Sequence, residues 1–595
     1  MQNDEAQEKR DLIAQWAFDT RPILGRFHIW LEDVEIEWLR GKPYREFTRE
    51  ICFMGGAMER QFAMTAAVTA LGTRLFGGFG KGAGQEKKVL NQVKKDADAI
   101  SAYALSESLW YLSRQLPENH AIMVCLGEGL MPKAGETPEM GSNPQLGFGR
   151  VYARPQVARQ LDELVTRLLN DLAFKWPDFY NAVKKAGLTV WGAAIDTLEN
   201  TSRFAKGAET GAMTIVHLFN QPLIFSRPYE GYMGNLFLPG EVVRKASEES
   251  VLINFRTRRE LVLKAILATY PDLQPGNIHV WTLGGKSRQH RIGKLWQEWN
   301  ELGVHLVDDD WQMPSGMTSF TESGTYAPVY AIGSWLQEGR KHLLICDGYA
   351  ASAEAVQAAT LGGMLDVSAF LCPFTSRFEL SYEQEQLVMD LQPDKPSFAA
   401  DLSAVCKRNL DPEELEQYKR MICEAREAGL PLTKLSLQAD DFFPEKLWEV
   451  LAISGYMCPD PYTGAAGVHE TAPGIYRVSV RLAAPSGEKL ITFTLRLMES
   501  MEESWLVFNP LLNRFLGGID YRLRPVKISD SGRIRNELQT LCVEALEFMS
   551  DNRIKVVFAR IPEEVISREK QKKLLEILSW YKSNHPIWFS WLEIA

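Results

Sequence analysis

Between residues 276 and 361 the chain alternates short, continuous apolar runs with longer amphipathic stretches. The runs at 278–283, 304–307 and 342–346 are too short for helices, and each ends in a polar or glycine-containing turn. The stretches at 289–302, 326–337 and 351–361 carry the three- and four-residue spacing of a helix face. Strands that read as unbroken apolar runs between helices predict a parallel, doubly wound sheet, covered on both faces. In such a sheet ligands bind outside the carboxyl ends of the strands, and the three turns fall on that edge.

The remainder of the chain divides by pattern. Residues 1–115 read as mostly helical, and one helix there is small-sided through Ala63, Ala66, Ala67 and Ala70, so it is expected to be buried. From 116 to 275, strands are predicted at 121–126 and 214–219 and a helix at 155–174. After 400 the style changes. Asp411-Pro412-Glu413-Glu414 is a helix start, with an Asp cap and Pro at the first position. A further helix is read at 447–453, and alternation at 476–482 and 490–497 across Ala484-Pro485-Ser486-Gly487 predicts a hairpin. The expected architecture is multidomain α/β. It has a helical N-terminal region (1–115), a first α/β domain (116–275), a second, Rossmann-like domain (276–400) and an α+β C-terminal domain (401–595).

Composition narrows the partners. At 595 residues the chain exceeds one domain of about 150, and its 45% hydrophobic content can fill large cores. Lys and Arg number 66 against 76 Asp and Glu, a net charge of −10 without a basic stripe, so nucleic acid is not expected as a partner. Eight cysteines without a Cys-x-x-Cys pair, some in apolar runs such as Cys125 and Cys346, read as buried thiols of a reducing compartment. The N-terminus has no apolar signal core. The least charged stretch, 62–73, falls short of the roughly 20 residues a membrane span needs. The expectation is a soluble, cytoplasmic protein with no membrane partner, and with room for a homo-oligomer.

Candidate chemistry gathers at the three turns. In Gly284-Gly285-Lys286-Ser287-Arg288, glycine backbone, a helix start and two cations suit a phosphoryl or carboxylate group. A tight turn with solvated basic residues reads equally from the same five. His290 follows as a candidate general acid or base. Asp308-Asp309-Asp310 places carboxylates at a strand end. Asp308 and Asp310 would share a face and take Mg²⁺ or Mn²⁺ or move a proton, the alternative being a solvated turn. The loop 315–325 supplies hydroxyls from Ser315, Thr318, Ser319, Thr321, Ser323 and Thr325 before a helix. Asp347, in Asp347-Gly348, would hold a ribose or metal or simply turn the chain. His279, His305 and His342 sit at strand starts, where packing is the expected role.

Other motifs exclude more than they assign. Gly77–Gly84 follows a helix and has Gly after Lys81, so it is read as an interhelical turn, a hinge or lid, rather than a phosphate loop. No Gly-x-Gly-x-x-Gly lies in 276–400, leaving no nicotinamide or flavin fingerprint. Neither a Gly-x-Ser-x-Gly elbow nor a His-Glu-x-x-His helix is present.

The fragment Thr321-Glu322-Ser323-Gly324-Thr325 resembles the Ser-x-Ser-Gly loop of phosphosugar-binding sugar isomerase domains, a likeness of five residues. It implies a sugar phosphate held by hydroxyls and amides. The expected function is an enzyme acting on a small phosphorylated or carboxylated metabolite, an isomerase or transferase, at the carboxyl edge of the 276–361 sheet. Two alternatives stand beside it. One is a metal-dependent aldose–ketose isomerase, by analogy of fold alone. The other is a non-catalytic binding or assembly protein on an α/β scaffold.

Overall fold

The computed structural model describes residues 2–26, 29–40, 56–127, 146–171, 173–224, 232–255, 257–283, 289–373, 382–412, 415, 416, 418, 419, 422, 423, 437–485, 487–497, 545–549, 553–561, 563, 567–584 and 589–595. Among these, β-branched and leucine-rich runs form two large mixed sheets. The larger runs in the order β1 (Ile29–Arg40), β14 (Gly487–Leu497), β13 (Ile475–Ala484), β11 (Val450–Tyr456), β5 (Met213–Phe219), β4 (Thr189–Glu199), β2 (His120–Gly127) and β3 (Val151–Ala153), with β12 (Val468–Ala472) beside β13. Its β2–β4 pair is parallel and its other pairs are antiparallel.

The smaller sheet runs β10 (Val367–Pro373), β6 (Tyr232–Pro239), β9 (Leu343–Ala351), β7 (Ile278–Trp281), β8 (His305–Leu306). Strands β9, β7 and β8 are parallel, while β6 is antiparallel to both β9 and β10. Four strands therefore share one direction, and their carboxyl ends share one edge. A third sheet joins β15 (Leu546–Phe548), β16 (Ile554–Val556) and β17 (Leu592–Ile594).

Both faces of the smaller sheet are covered, which is why its strands read as continuous apolar runs. Leu236, Leu238, Ile278, Val280, Leu343 and Ile345 pack on one side with residues of α6 (Gly240–Glu248), α7 (Arg259–Thr269) and α8 (Gln289–Glu301). Met233, Phe237, Trp281, Leu344 and Cys346 face the other way, into a core shared with Met123, Cys125, Ile215, Phe219 and Ala452 of the larger sheet. One apolar layer thus lies between the two sheets. Through it runs a short helix of which every residue is buried, Ser352–Thr360; α9 (Tyr326–Val329) lies beside it, and the buried helix is α10. The opposite face of the larger sheet is closed by α1 (Gln2–Arg26), α2 (Gly56–Phe76) and α3 (Lys87–Gln115). Ala63, Ala66, Ala67 and Ala70 of α2 are buried there, as their small size predicts.

The chain is mixed α/β, as its pattern predicts, but three details differ. The sheets are mixed rather than parallel throughout, because β6 and β10 enter the smaller one as antiparallel neighbours. Of the stretch read as a helix at 447–453, residues 450–453 lie in β11, which is buried along its whole length. A short run that is apolar on all sides does not distinguish a buried strand from a buried helix. The region read as helical before 115 contains β1, which pairs with β14. The larger sheet therefore joins strands from 29–40, 120–219 and 450–497, and β6 of the smaller sheet precedes 275. Breaks at 115, 275 and 400 do not coincide with breaks in the sheets. The glycine stretch 77–84 is packed, with Gly80 and Gly82 amides donating to the Phe204 and Ala205 carbonyls at 3.1 and 2.8 Å. No described helix is long and apolar enough to cross a membrane.

Candidate functional site

The carboxyl edge of the smaller sheet is where the expected residues meet or fail to meet. Asp347 is not in a turn. Strand β9 continues through it, and Asp347 pairs in register with Leu236. Its carboxylate is fully buried and held in a fork by Arg259, Nε to Oδ2 at 2.6 Å and Nη2 to Oδ1 at 2.7 Å. Trp299 Nε1 donates a third bond at 2.7 Å. Arg259 Nη1 donates to the Phe255 and Thr257 carbonyls, each at 2.7 Å. A buried carboxylate is costly unless it is paired, so Asp347 is a structural anchor whose oxygens are engaged.

The three aspartates divide their roles differently from the expected alternation. Strand β8 ends at Leu306, and Asp308, Asp309 and Asp310 all lie exposed on the turn beyond it. Asp309, the middle residue, turns its carboxylate to the Thr321 amide and to Thr321 Oγ1, the latter at 2.7 Å. Ser319 Oγ donates to the Asp308 carbonyl. Asp308 and Asp310 make no ion pair among the described residues, and no group of three His, Cys, Asp or Glu there could hold a metal. Ser315 and Thr318 are exposed, whereas Ser319, Thr321, Ser323 and Thr325 are buried.

The start of α9, expected to offer amides to a phosphate, is already occupied from within. Glu354 of α10 accepts the Thr325 and Tyr326 amides on Oε1 at 2.6 and 2.9 Å. Gly324 is required here, because a Cβ would stand 1.9 Å from Glu354 Oε2. The Thr325 hydroxyl lies beside the buried Cys346 thiol, whose pKa burial pushes up.

What the edge does bring together is a small set of buried polar atoms without partners among the described residues: Asn235 Nδ2, Thr282 Oγ1 and Ser323 Oγ. Thr282 follows β7, and its Oγ1 is 2.0 Å from where a Gly348 Cβ would be, so only glycine fits. Asn235 is the register partner of Gly348 on β6. Ser323 adjoins Gly324, whose carbonyl accepts a bond from Trp281 Nε1 at the end of β7. Gly285, Lys286, Ser287 and Arg288 lie outside the described residues. His290 lies in α8, with its side chain outside them.

The chain matches no known family model, and no curated protein is significantly similar to it.

Two further polar clusters lie away from this edge, and the first of them escaped the sequence reading. In the layer between the sheets, His217 of β5 bonds Thr360 Oγ1 through Nδ1 and Tyr326 Oη through Nε2, both at 3.0 Å. Tyr326 Oη also meets Ser454 Oγ at 2.8 Å and Tyr330 Oη at 3.2 Å. Arg481 stacks 4.1 Å over the Tyr330 ring and donates to Glu488 at 2.5 Å. Burial lowers the His217 pKa to about 3. It raises that of the nearby Asp460 to about 6, against the opposing bonds from Thr463 and the Tyr462 amide. The second cluster is the histidine trio. His279 reaches His305 Nδ1 through its own Nδ1 and His342 Nδ1 through Nε2, both at 2.9 Å. The partners sit on opposite ring nitrogens, so the three do not converge on one metal. Trp311 lies against His279, ring centroids 4.1 Å apart. Burial, then the two neighbouring rings, push the His279 pKa down to about 3. The strand-start positions of the three histidines were legible in the sequence, whereas no local signal links His217 to Tyr326 and Ser454.

Proposed function

We propose that this chain binds a small phosphorylated or carboxylated metabolite at the carboxyl edge of the smaller sheet and acts on it as an enzyme. The observation that carries the reading is the set of unpartnered buried polar atoms, Asn235 Nδ2, Thr282 Oγ1 and Ser323 Oγ, around Gly348 and Gly324 at that edge. A buried polar atom left without a partner is costly, at about 1–3 kcal/mol, and a polar ligand removes that cost. Leu283 leads directly from this edge towards Gly285, Lys286, Ser287 and Arg288, which would neutralise the ligand's charge. Asp308 and Asp310 would hold Mg²⁺ or Mn²⁺ or move a proton, with His290 as acid or base.

The test is thermal-shift screening against sugar phosphates and small carboxylic acids, with and without Mg²⁺ or Mn²⁺, followed by turnover assays on the ligands that bind. A ligand at a hundredfold excess over its Kd stabilises by about 2.7 kcal/mol, well within reach of the method. Thr282→Val with Ser323→Ala should abolish the shift while leaving the ligand-free melting temperature near that of the wild type. An undiminished shift in that variant would remove the edge from consideration. A second reading, a non-catalytic binding or assembly protein, is favoured by Glu354 and Arg259 having already taken the groups that a substrate would use. It predicts no turnover with any ligand that binds.

A further inference from the structure

Near the amino ends of β7, β8 and β9, the histidine trio forms a chain of imidazoles whose contacts fix how many protons it can hold. His279 of β7 is the register partner of His305 on β8, and His342 stands directly before β9. His279 is 3% exposed, and each of its ring nitrogens faces a second imidazole at 2.9 Å. A nitrogen–nitrogen contact of this kind needs one proton, since a donor must meet an acceptor. Neutral imidazole carries one N–H. Three neutral rings therefore satisfy both contacts, with His279 donating through one nitrogen and accepting through the other. One added proton is also accommodated, because His279 can then donate on both sides to outer rings protonated at Nε2. Every position free of conflict, one in each contact and one on each outer Nε2, is by then filled. A second added proton sets two N–H groups face to face, and one contact must open.

The contact to β8 is the easier to open. That strand is two residues long and pairs only with β7 among the described strands. Trp311 is seated across this contact, its ring centroid 4.1 Å from that of His279 and 5.3 Å from that of His305. From Trp311 the chain is tied into a closed loop. The Trp311 carbonyl accepts the Ser319 amide at 3.0 Å, its amide donates to the Asp308 carbonyl at 3.3 Å, and Gln312 Nε2 donates to Thr318 Oγ1 at 2.8 Å. Asp309 accepts from Thr321 on the far side. His279 and Trp281 share one face of β7, and Trp281 Nε1 donates to the Gly324 carbonyl, so the loop is fastened to that face at both ends of the strand.

The charged groups on the elements that meet the trio are Glu301 of α8, Asp308 to Asp310 on the turn, and Glu338, Arg340 and Lys341 ahead of β9. Residues 275–277 and 334–337, which also border it, carry none. Glu338 and Arg340 pair with each other at 3.3 Å, and Glu301 accepts from Gln297 at 2.7 Å. Asp308 favours a charge on His305, against the larger effect of burial. Burial, then the two neighbouring rings, oppose a charge on His279.

We propose that His279, His305 and His342 form a pH-sensitive clasp, which holds the loop 308–321 to the sheet until a second proton enters the trio and then releases it. The trio titrates as a unit, on the acid side of the ordinary imidazole value of about 6.5. Opening at β8 unseats Trp311 and with it the turn that follows the strand. The same loop leads to Ser323, so release also loosens the carboxyl edge; the clasp itself operates whether or not a ligand binds there.

The test is hydrogen exchange of the full-length chain without ligand, read by mass spectrometry between pH 7.5 and 5 and corrected for the intrinsic pH dependence of exchange. Peptides covering 308–321 should lose protection by at least about tenfold over this range, while the 476–497 hairpin keeps its own. His305→Gln with His342→Gln leaves an amide able to accept from His279 on each side and removes both outer titrations. In that variant the protection of 308–321 should stay level. His342→Gln alone should move the loss to the acid side by about one pH unit or more, because the second proton must then enter the buried central ring. The proposal is overturned if wild-type protection at 308–321 is the same at both ends of the range, or if the 476–497 hairpin loses protection in parallel. It is equally overturned if the Gln pair follows the wild-type profile. Should the Gln pair melt far below the wild type, His342→Gln, which keeps the contact to β8, decides in its place, and an unmoved midpoint overturns the proposal.

Discussion

Asp347 illustrates how much depends on a single buried charge. Its fork with Arg259 has no solvent to fall back on, so Asp347→Asn leaves a guanidinium buried beside a neutral amide. The expected loss is about 3–5 kcal/mol in urea unfolding, whereas Asp347→Leu combined with Arg259→Met should lose much less than the two single changes summed. The histidines set a pH dependence. His217 titrates near 6.5 when unfolded and near 3 in place, so the unfolded chain takes up the proton first. Stability from the neutral ring is complete above about pH 6.5. It declines as pH falls from there towards 3, by up to about 1.4 kcal/mol per pH unit. His279 acts in the same direction. Asp460 opposes them. Its folded pKa, raised to about 6, means a stabilising contribution that is full below about 3.8 and lost as pH rises through 6. Chemical denaturation from pH 4 to 8 should therefore show a shallower acid slope in His217→Gln than in the wild type. Asp460→Asn should gain stability relative to wild type at pH 8 and not at pH 4.

At the scale of elements, α10 acts as the pin between the two sheets. Gln357 donates to the Ala194 carbonyl of β4 at 2.8 Å, Thr360 meets His217 of β5, and Glu354 closes the start of α9. Glu354→Gln keeps the shape and exchanges a charged acceptor for a neutral one. The expected effect is a loss of about 1–3 kcal/mol and faster amide exchange at Thr325 and Tyr326 than in the wild type, read by hydrogen exchange. Local pattern was sufficient for the 476–497 hairpin and for β7, β8 and α8, because their signals are confined to a few neighbouring residues. It was insufficient for β11, whose Val450–Tyr456 is apolar on both faces since helices cover one side and α10's layer the other.

For the whole molecule the decisive fact is that neighbours in the sheets are distant in sequence. β1 pairs with β14, β5 with β11, and β6 lies between β9 and β10. A fragment of residues 276–400 keeps four strands of the smaller sheet but lacks the one that joins β10 to β9. It should show no cooperative thermal transition by circular dichroism, whereas the full chain should. An independently folding 276–400 fragment would contradict the pairing.

By itself the sequence determined that this chain would be mixed α/β and where many of its buried runs lie. These follow from periodicity and turn chemistry, which act over a few residues. Tertiary structure alone decided that Asp347 would meet Arg259, that Glu354 would occupy the amides of Thr325 and Tyr326, and that Asp309 rather than its neighbours would tie the 315–325 loop. A buried charge or amide must find a partner wherever the fold supplies one, and that partner is chosen by the packing of helices against sheets, which no stretch of sequence records on its own.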